Sequence, residues 1–216
     1  MSAIAGNDRN NWRDGVGLFP TGTPLATDFG IEVLRSPRDY AAVKRALAGA
    51  GYKNEKIVVI VPTDVSELGN LTRIGAEQLR RAGMNIDLQE MDFGSVVRRI
   101  VNHGSSDKGG YNMFCTLIDR SVPNDHPYGN VAIRADGKAP VNGWANSPRI
   151  EELRSAWLDR VDVEQQKRIC VDLQKQLWED VPFIPLGEYW QATAYRKDLT
   201  GILPGCFAVF YGVRRA

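Results

Sequence analysis

Apolar residues recur along this chain in two rhythms, and the switch between them predicts its elements. From Ser36, "SPRDYAAVKRALAGAGY" puts Tyr40, Val43 and Leu47 on one helical face. Ser36 reads as the N-cap, Pro37 as a first-turn residue and Gly51 as the stop. "KIVVIVP" (56–62) is an unbroken β-branched run closed by Pro62, the pattern of a strand covered on both faces. In "SELGNLTRIGAEQLRRAGM", Leu68, Leu71, Ile74 and Leu79 return at helical spacing before Gly83. "NIDLQEMD" alternates Ile86 and Leu88 with polar residues, as a strand does. "SVVRRIVNHG" is a short helix ended by Gly104, and "YNMFCTLI" (111–118) is a third strand.

This order, βαβαβ, predicts an α/β fold with a mostly parallel or mixed sheet flanked by helices and joined by right-handed crossovers. Functional groups in such sheets gather at the carboxyl ends of the strands. Here those ends are "PTDVS" (62–66), "EMDFG" (90–94) and "IDRSVPND" (118–125). Residues 119–147 then run without clear periodicity, and so long a loop is expected to be functional or disordered. Two helices follow. One is capped by Ser147 with Pro148 next. The other opens on a capping-box pair, Asp162 and Gln165, and carries Ile169, Leu173, Leu177 and Trp178 on its apolar face. "PFIPL" (182–186) reads as a buried extended segment after a hard stop. Residues 1–35, rich in Gly, Asn, Pro and Thr, read as an irregular arm that needs a surface to lie on. The chain therefore divides into an arm (1–35), a main lobe (36–190) and a C-terminal segment (191–216).

Composition narrows the classes. The chain has 216 residues, is 43% hydrophobic, and balances 27 Lys+Arg against 26 Asp+Glu. That supports an ordinary core and gives nucleic-acid binding no electrostatic footing. No apolar run reaches the ~18 residues of a membrane helix. The first residues lack the basic and apolar regions of a signal peptide, which by itself favours the cytoplasm. Cys115, Cys170 and Cys206 lie far apart, and His103 and His126 are the only histidines. Neither set has the spacing of a disulfide framework or a metal site. Hydrolase, zincin and P-loop motifs are missing, so no catalytic residue, metal or cofactor is expected.

The candidate chemistry lies at the strand ends. Asp64, Asp92 and Asp119 each follow a predicted strand. There they either bind a ligand ammonium or cap the next element. Capping suits Asp64 and above all Asp92, which directly precedes a helix. Asp119 opens the long loop with no helix to cap, so binding suits it better. Phe93, Tyr128, Trp144 and Trp190 lie in or beside loops, where aromatics shape ligand pockets or close the core. Trp144, after Gly143 in a polar stretch, is the best placed for a ligand. Trp157 and Trp178 fall on helix faces and belong to the core.

Taken in order, the pieces are similar to family 5 extracellular solute-binding proteins, the peptide-, nickel- and oligosaccharide-binding receptors of ABC importers. "RDYAAVKRALAGAGY" resembles that family's helix ending in Ala-Gly-Tyr. "EKIVVIVPTD", "GAEQLRRAGMNIDLQEMDFGSVVRRI" and "YNMFCTLIDRSVPN" follow in the family's order. "QQKRICVDLQKQLWEDVPFIPLGEYWQATAYRKDLTG" resembles its Gln…Pro-x-(Ile/Val)-Pro hallmark. The likeness covers roughly residues 18–212.

The resemblance implies the C-terminal lobe of a type II periplasmic-binding-protein fold. Such a lobe closes with an N-terminal lobe over a peptide-like or other small polar solute and docks on membrane permease subunits. It also implies the periplasm, with the signal peptide and N-terminal lobe outside this sequence. In peptide-binding members an Asp after the third strand holds the ligand's α-ammonium, and Asp119 matches it four residues before Pro123. Phe93 stands where many members carry a ligand-facing Trp. Dipeptide receptors place a carboxylate-binding Arg after the first strand. This chain has "TDVSEL" there, so Thr63, Asp64 and Ser66 would offer hydrogen bonds instead. The expected ligand-binding set is thus Asp64, Ser66, Phe93, Asp119 and Trp144. A solute-sensing or chaperone-like module of the same fold is an alternative, and a small hydrolase with a dispersed site is another.

Overall fold

The computed structural model describes residues 1–119, 122–138, 143–205 and 208–216. Its elements are α1 (Ser2–Ala5), β1 (Trp12–Arg13), α2 (Glu32–Arg35), α3 (Tyr40–Gly49), β2 (Lys56–Pro62), α4 (Ser66–Arg81), β3 (Asn85–Met91), α5 (Phe93–Arg99), α6 (Pro148–Leu158), α7 (Val163–Asp180), β4 (Glu188–Tyr189), β5 (Leu199–Thr200) and β6 (Arg214–Arg215), with short 3-10 turns between.

The parallel pair is built on β2. It pairs in parallel with β3 along its whole length, from Lys56 opposite Asn85 to Pro62 opposite Met91. Its run of branched side chains is buried on both faces: Val58, Val59, Ile60 and Val61 are at most 4% exposed. Val59 and Ile57 meet Ile86, Leu88 and Ala76 of α4 on one face. Val58 and Ile60 meet Val96 of α5 and Ile100 just past its end on the other. A two-face strand can be covered only by crossovers on opposite sides, which the β–α–β–α order supplies.

The third strand does not form as expected. Residues 111–118 contribute one parallel bridge, Met113 to Val59, with Ile60 N–H donating to Met113 O at 3.1 Å. At its start Asn112 Oδ1 takes the Val58 N–H at 2.8 Å, the position a backbone carbonyl would hold if the ladder ran further back. Beyond it Leu117 and Ile118 are about two-fifths exposed (39% and 41%).

Glycine stops the first two major helices as the pattern predicts. Gly51 (φ 82°) follows α3 and Gly83 (φ 96°) follows α4 in the left-handed region. Each is followed by a residue whose N–H reaches back five positions, Tyr52 to Leu47 O and Met84 to Leu79 O, both satisfying an orphan carbonyl. The start of α3 differs from expectation. Asp39, not Ser36, is its N-cap, accepting from Ala42 N–H at 2.8 Å. Ser36 instead donates its hydroxyl to Glu32 O at the end of α2. No residue of α3 is fully buried.

A second core holds the arm. Leu18, Phe19 and Leu25 pack with Ile133, Ala135, Ile150, Leu153, Leu173 and Leu177. The arm's backbone is held at three points by one buried polar side chain, Gln174 of α7. It accepts from Leu18 N–H (2.7 Å) and donates to Thr27 O (3.1 Å) and Phe29 O (2.6 Å). The arm closes with an antiparallel pair, Trp12–Arg13 against Glu188–Tyr189.

The hard stop after α7 has a local cause. Proline disfavours the helical conformation in the residue before it, and Val181 takes the left-handed one (φ 47°) ahead of Pro182. The segment that follows is irregular and not a buried strand: Ile184 and Leu186 are about half exposed (49% and 48%). With nitrogens lacking hydrogen at Pro182 and Pro185, it has few donors to offer a ladder. Past it, β5 and β6 pair with each other, and Phe210 and Tyr211 stand in solvent.

Candidate functional site

At the carboxyl ends of β2 and β3 the chain makes one direct link. Phe93 N–H donates to Asp64 Oδ1 at 2.7 Å. Phe93 is the first residue of α5, so its N–H has no partner within the helix. Asp64 therefore does not cap α4, whose N-cap is Val65 with no side-chain bond. It ties the end of β2 to the start of α5 and sets the height at which the 41% exposed Phe93 ring stands. Asp92 is the cap of α5: Oδ1 accepts from Ser95 N–H at 2.9 Å and Oδ2 from the Ser95 hydroxyl at 2.5 Å. The Ser95 hydroxyl, with its N–H in support, holds the Asp92 carboxyl below the ordinary carboxylate range. The two carboxylates bracketing Phe93 are thus structural acceptors first.

Ser66 begins α4 on the same edge, exposed, with its hydroxyl donating to Glu67 Oε2 at 2.9 Å. Asp119 is exposed at the start of the loop. Its main-chain carbonyl and its Oδ1 both accept from Asn124 Nδ2 at 3.2 Å. Asn124 lies in a 3-10 turn, Val122–Asp125, that the sequence pattern does not announce.

Trp144 lies elsewhere. Its ring is 5.2 Å from that of Tyr111, edge-on, and 4.6 Å from that of His103. His103 follows the C-terminus of α5 and Tyr111 precedes the Met113 bridge, so both belong to the amino end of the strands. Trp144 is half-buried there as a lid on the α5 face of the sheet. Beneath it, burial pushes the Tyr111 phenol up to about 12. The structure thus joins Asp64 with Phe93, keeps Ser66 on their edge, and puts Trp144 into the core margin. Trp157 and Trp178 also edge the core, as their helix positions predict.

Sequence reasoning missed the residues that organise the loop before α6. Arg154, 7% exposed, donates to Pro127 O (3.1 Å) and Tyr128 O (2.9 Å) and forms a two-pronged bond with Glu151. Glu151 also accepts from Ala135 N–H at 2.7 Å. Asn130, 5% exposed, accepts from Ala132 N–H and donates to Asn124 O. The signal available was the pair of asparagines in "VPNDHPYGNVAI", a residue type that bonds its own backbone. The sequence positions of Arg120, Ser121 and 139–142 in this loop lie outside the described residues.

No family model matches the chain. It is 31% identical over 200 residues, 92% of its length, to a probable peptide ABC transporter periplasmic-binding protein of Sinorhizobium fredii. It spans 37% of that relative. Among solved structures it superposes with a TM-score of 0.71 on a dipeptide-binding protein of a Pseudoalteromonas species in complex with Met-Leu. The identity is 19%, over 100% of this chain and 42% of that one. NikA of Staphylococcus aureus, in complex with Ni(L-His)2, gives a TM-score of 0.65 at 18% identity, over 96% and 44% of the two chains. The α/β arrangement around β2 is therefore that of part of a type II periplasmic-binding protein.

Proposed function

We propose, from its likeness over 92% of its length to a probable peptide ABC transporter periplasmic-binding protein, that the chain serves as the C-terminal lobe of such a binding protein. In this reading it binds a peptide-like or other small polar solute at the carboxyl edge of its parallel pair. A second lobe closes over the solute, and the closed protein delivers it to a permease in the membrane. The protein works in the periplasm. Its role is binding, without turnover of the solute.

The observation that carries the reading is the Asp64–Phe93 link. It fixes an exposed aromatic ring beside an acidic edge at the strand tips, where ligands sit in open α/β sheets. Asp119 supplies a carboxylate for a ligand ammonium through a charge-assisted hydrogen bond. Phe93 supplies apolar cover for a side chain. Ser66 offers a hydroxyl on the same edge.

One lobe presents half a cleft, so most of the ligand surface would stay wet and affinity would be low. Isothermal calorimetry of this chain with trialanine should show no heat of binding at micromolar concentrations. Micromolar affinity for the chain alone would defeat the two-lobe reading. For the solute itself, mass spectrometry of small molecules co-purified with a two-lobed parent should find a ligand with a free amine. Recovery of only amine-free solutes would remove Asp119 from its role.

A further inference from the structure

Asp119 ends a chain of hydrogen bonds that begins in the buried core. Ile133 and Ala135, 1% and 0% exposed, fix the far end of the loop among α6 and α7. Buried Arg154 clamps Pro127 and Tyr128 through their carbonyls. Asn130, also buried, is bound at three of its polar groups: N–H to His126 O, Oδ1 from Ala132 N–H, and Nδ2 to Asn124 O at 3.2 Å. Asn124 Nδ2 then donates to both the carbonyl and the carboxylate of Asp119. A single amide that grips main chain and side chain of one residue restricts its χ1 as well as its position.

We propose that Asn124 is a positioning residue for Asp119, with Asn130 holding Asn124 in turn. The exposed carboxylate is thereby held in one rotamer before any ligand arrives. The assignment rests on the reading of Asp119 as an ammonium-binding group for its importance, but its geometry can be tested without ligand. What Asn124 contributes is pre-organisation, which raises affinity by removing an ordering cost from the binding step.

The test uses the isotopically labelled chain. Three-bond couplings across Cα–Cβ of Asp119 should report one χ1 rotamer in the unliganded protein. They should average over several rotamers in Asn124→Ala, while amide shifts of β2, β3, α6 and α7 stay in place. Asn124→Asp, which keeps the size and removes the donor, should average likewise and serves if the alanine variant fails to fold. Asp119 holding one rotamer in a folded variant of either kind overturns the proposal.

Ligand then separates this claim from the functional one. Millimolar trialanine should shift the Asp119 resonances and N-acetyl-trialanine should not. In Asn124→Ala the trialanine affinity should fall about 10-fold, the size expected for one hydrogen bond to a charged group. Where Asp119→Ala does lose affinity, unchanged affinity in Asn124→Ala also counts against positioning. If Asp119→Ala binds trialanine as the parent does while the rotamers still average in Asn124→Ala, the positioning stands and the ammonium reading falls.

Discussion

Gln174 offers the sharpest stability test in the molecule. The substitution is Gln174→Met, which keeps an unbranched side chain of similar volume and removes every hydrogen bond. Three backbone groups lose their partner, but they are not equivalent. Leu18 N–H is in a buried residue and would be left unpaired, at about 1–3 kcal/mol. Thr27 O is half-buried and can recruit water, so its loss is about 1 kcal/mol. Phe29 O keeps a second donor, Trp178 Nε1 at 3.0 Å, and should cost little. The sum is about 3 kcal/mol, equivalent to about 6–12 °C in Tm for a domain of this size. Trp178→Phe removes the second donor to Phe29 O and part of a ring packed on the core, and should cost about 1–2 kcal/mol. Urea unfolding followed by circular dichroism gives both values, and hydrogen exchange at Leu18 N–H shows whether the arm is what loosens. A Gln174→Met variant within about 0.5 kcal/mol of the parent, with Leu18 N–H still protected, would refute the account of how the arm is held.

Two further outcomes follow from the other buried groups. Arg154→Met leaves Glu151 without its cation and two carbonyls without a donor, and should cost about 3 kcal/mol in urea unfolding; a loss below about 1 kcal/mol would mean the loop is held by its apolar residues alone. Burial pushes the Cys170 thiol up from 9.0 to about 12 and the Tyr111 phenol from 10.0 to about 12. Each folded form therefore keeps a proton that the unfolded chain releases, and stability should fall as pH rises from about 9 towards 12. Cys170→Ala should flatten the first part of that decline in a pH series of unfolding midpoints, and an unchanged profile would count against the buried thiol as its source.

The parallel pair was legible because its signals are local. A β-branched run, a helix stripe ended by glycine and an alternating segment each carry their own geometry, and β2, α4 and β3 fall on them almost residue for residue. The third strand was not legible in its extent, and at its start Asn112 reads as an ordinary polar position while its side chain takes a ladder position. The arm reads as irregular from its composition, and the surface it lies on depends on Gln174, a polar residue at a core position on a helix 147 residues beyond Thr27. Nothing in a periodicity of apolar residues marks such a group. The same holds for Arg154, which looks like one more solvated cation until its carbonyl partners are known. At the site, Asp92 followed the capping rule it obeys. Asp64 did not, because its bond crosses between two strand ends that only the tertiary fold brings together.

The two parts of the proposed site depend on different packing. Asp64 and Phe93 are fixed by β2, β3 and α5, whose buried residues form clusters on the two faces of the sheet. Asp119 is fixed through Asn124, Asn130 and the loop that Arg154 pins to α6, in the core shared with α7 and the arm. An aromatic surface and an ammonium acceptor can therefore be varied separately. Changes in the sheet would move the ring and leave the carboxylate in place, and changes in the loop would do the reverse.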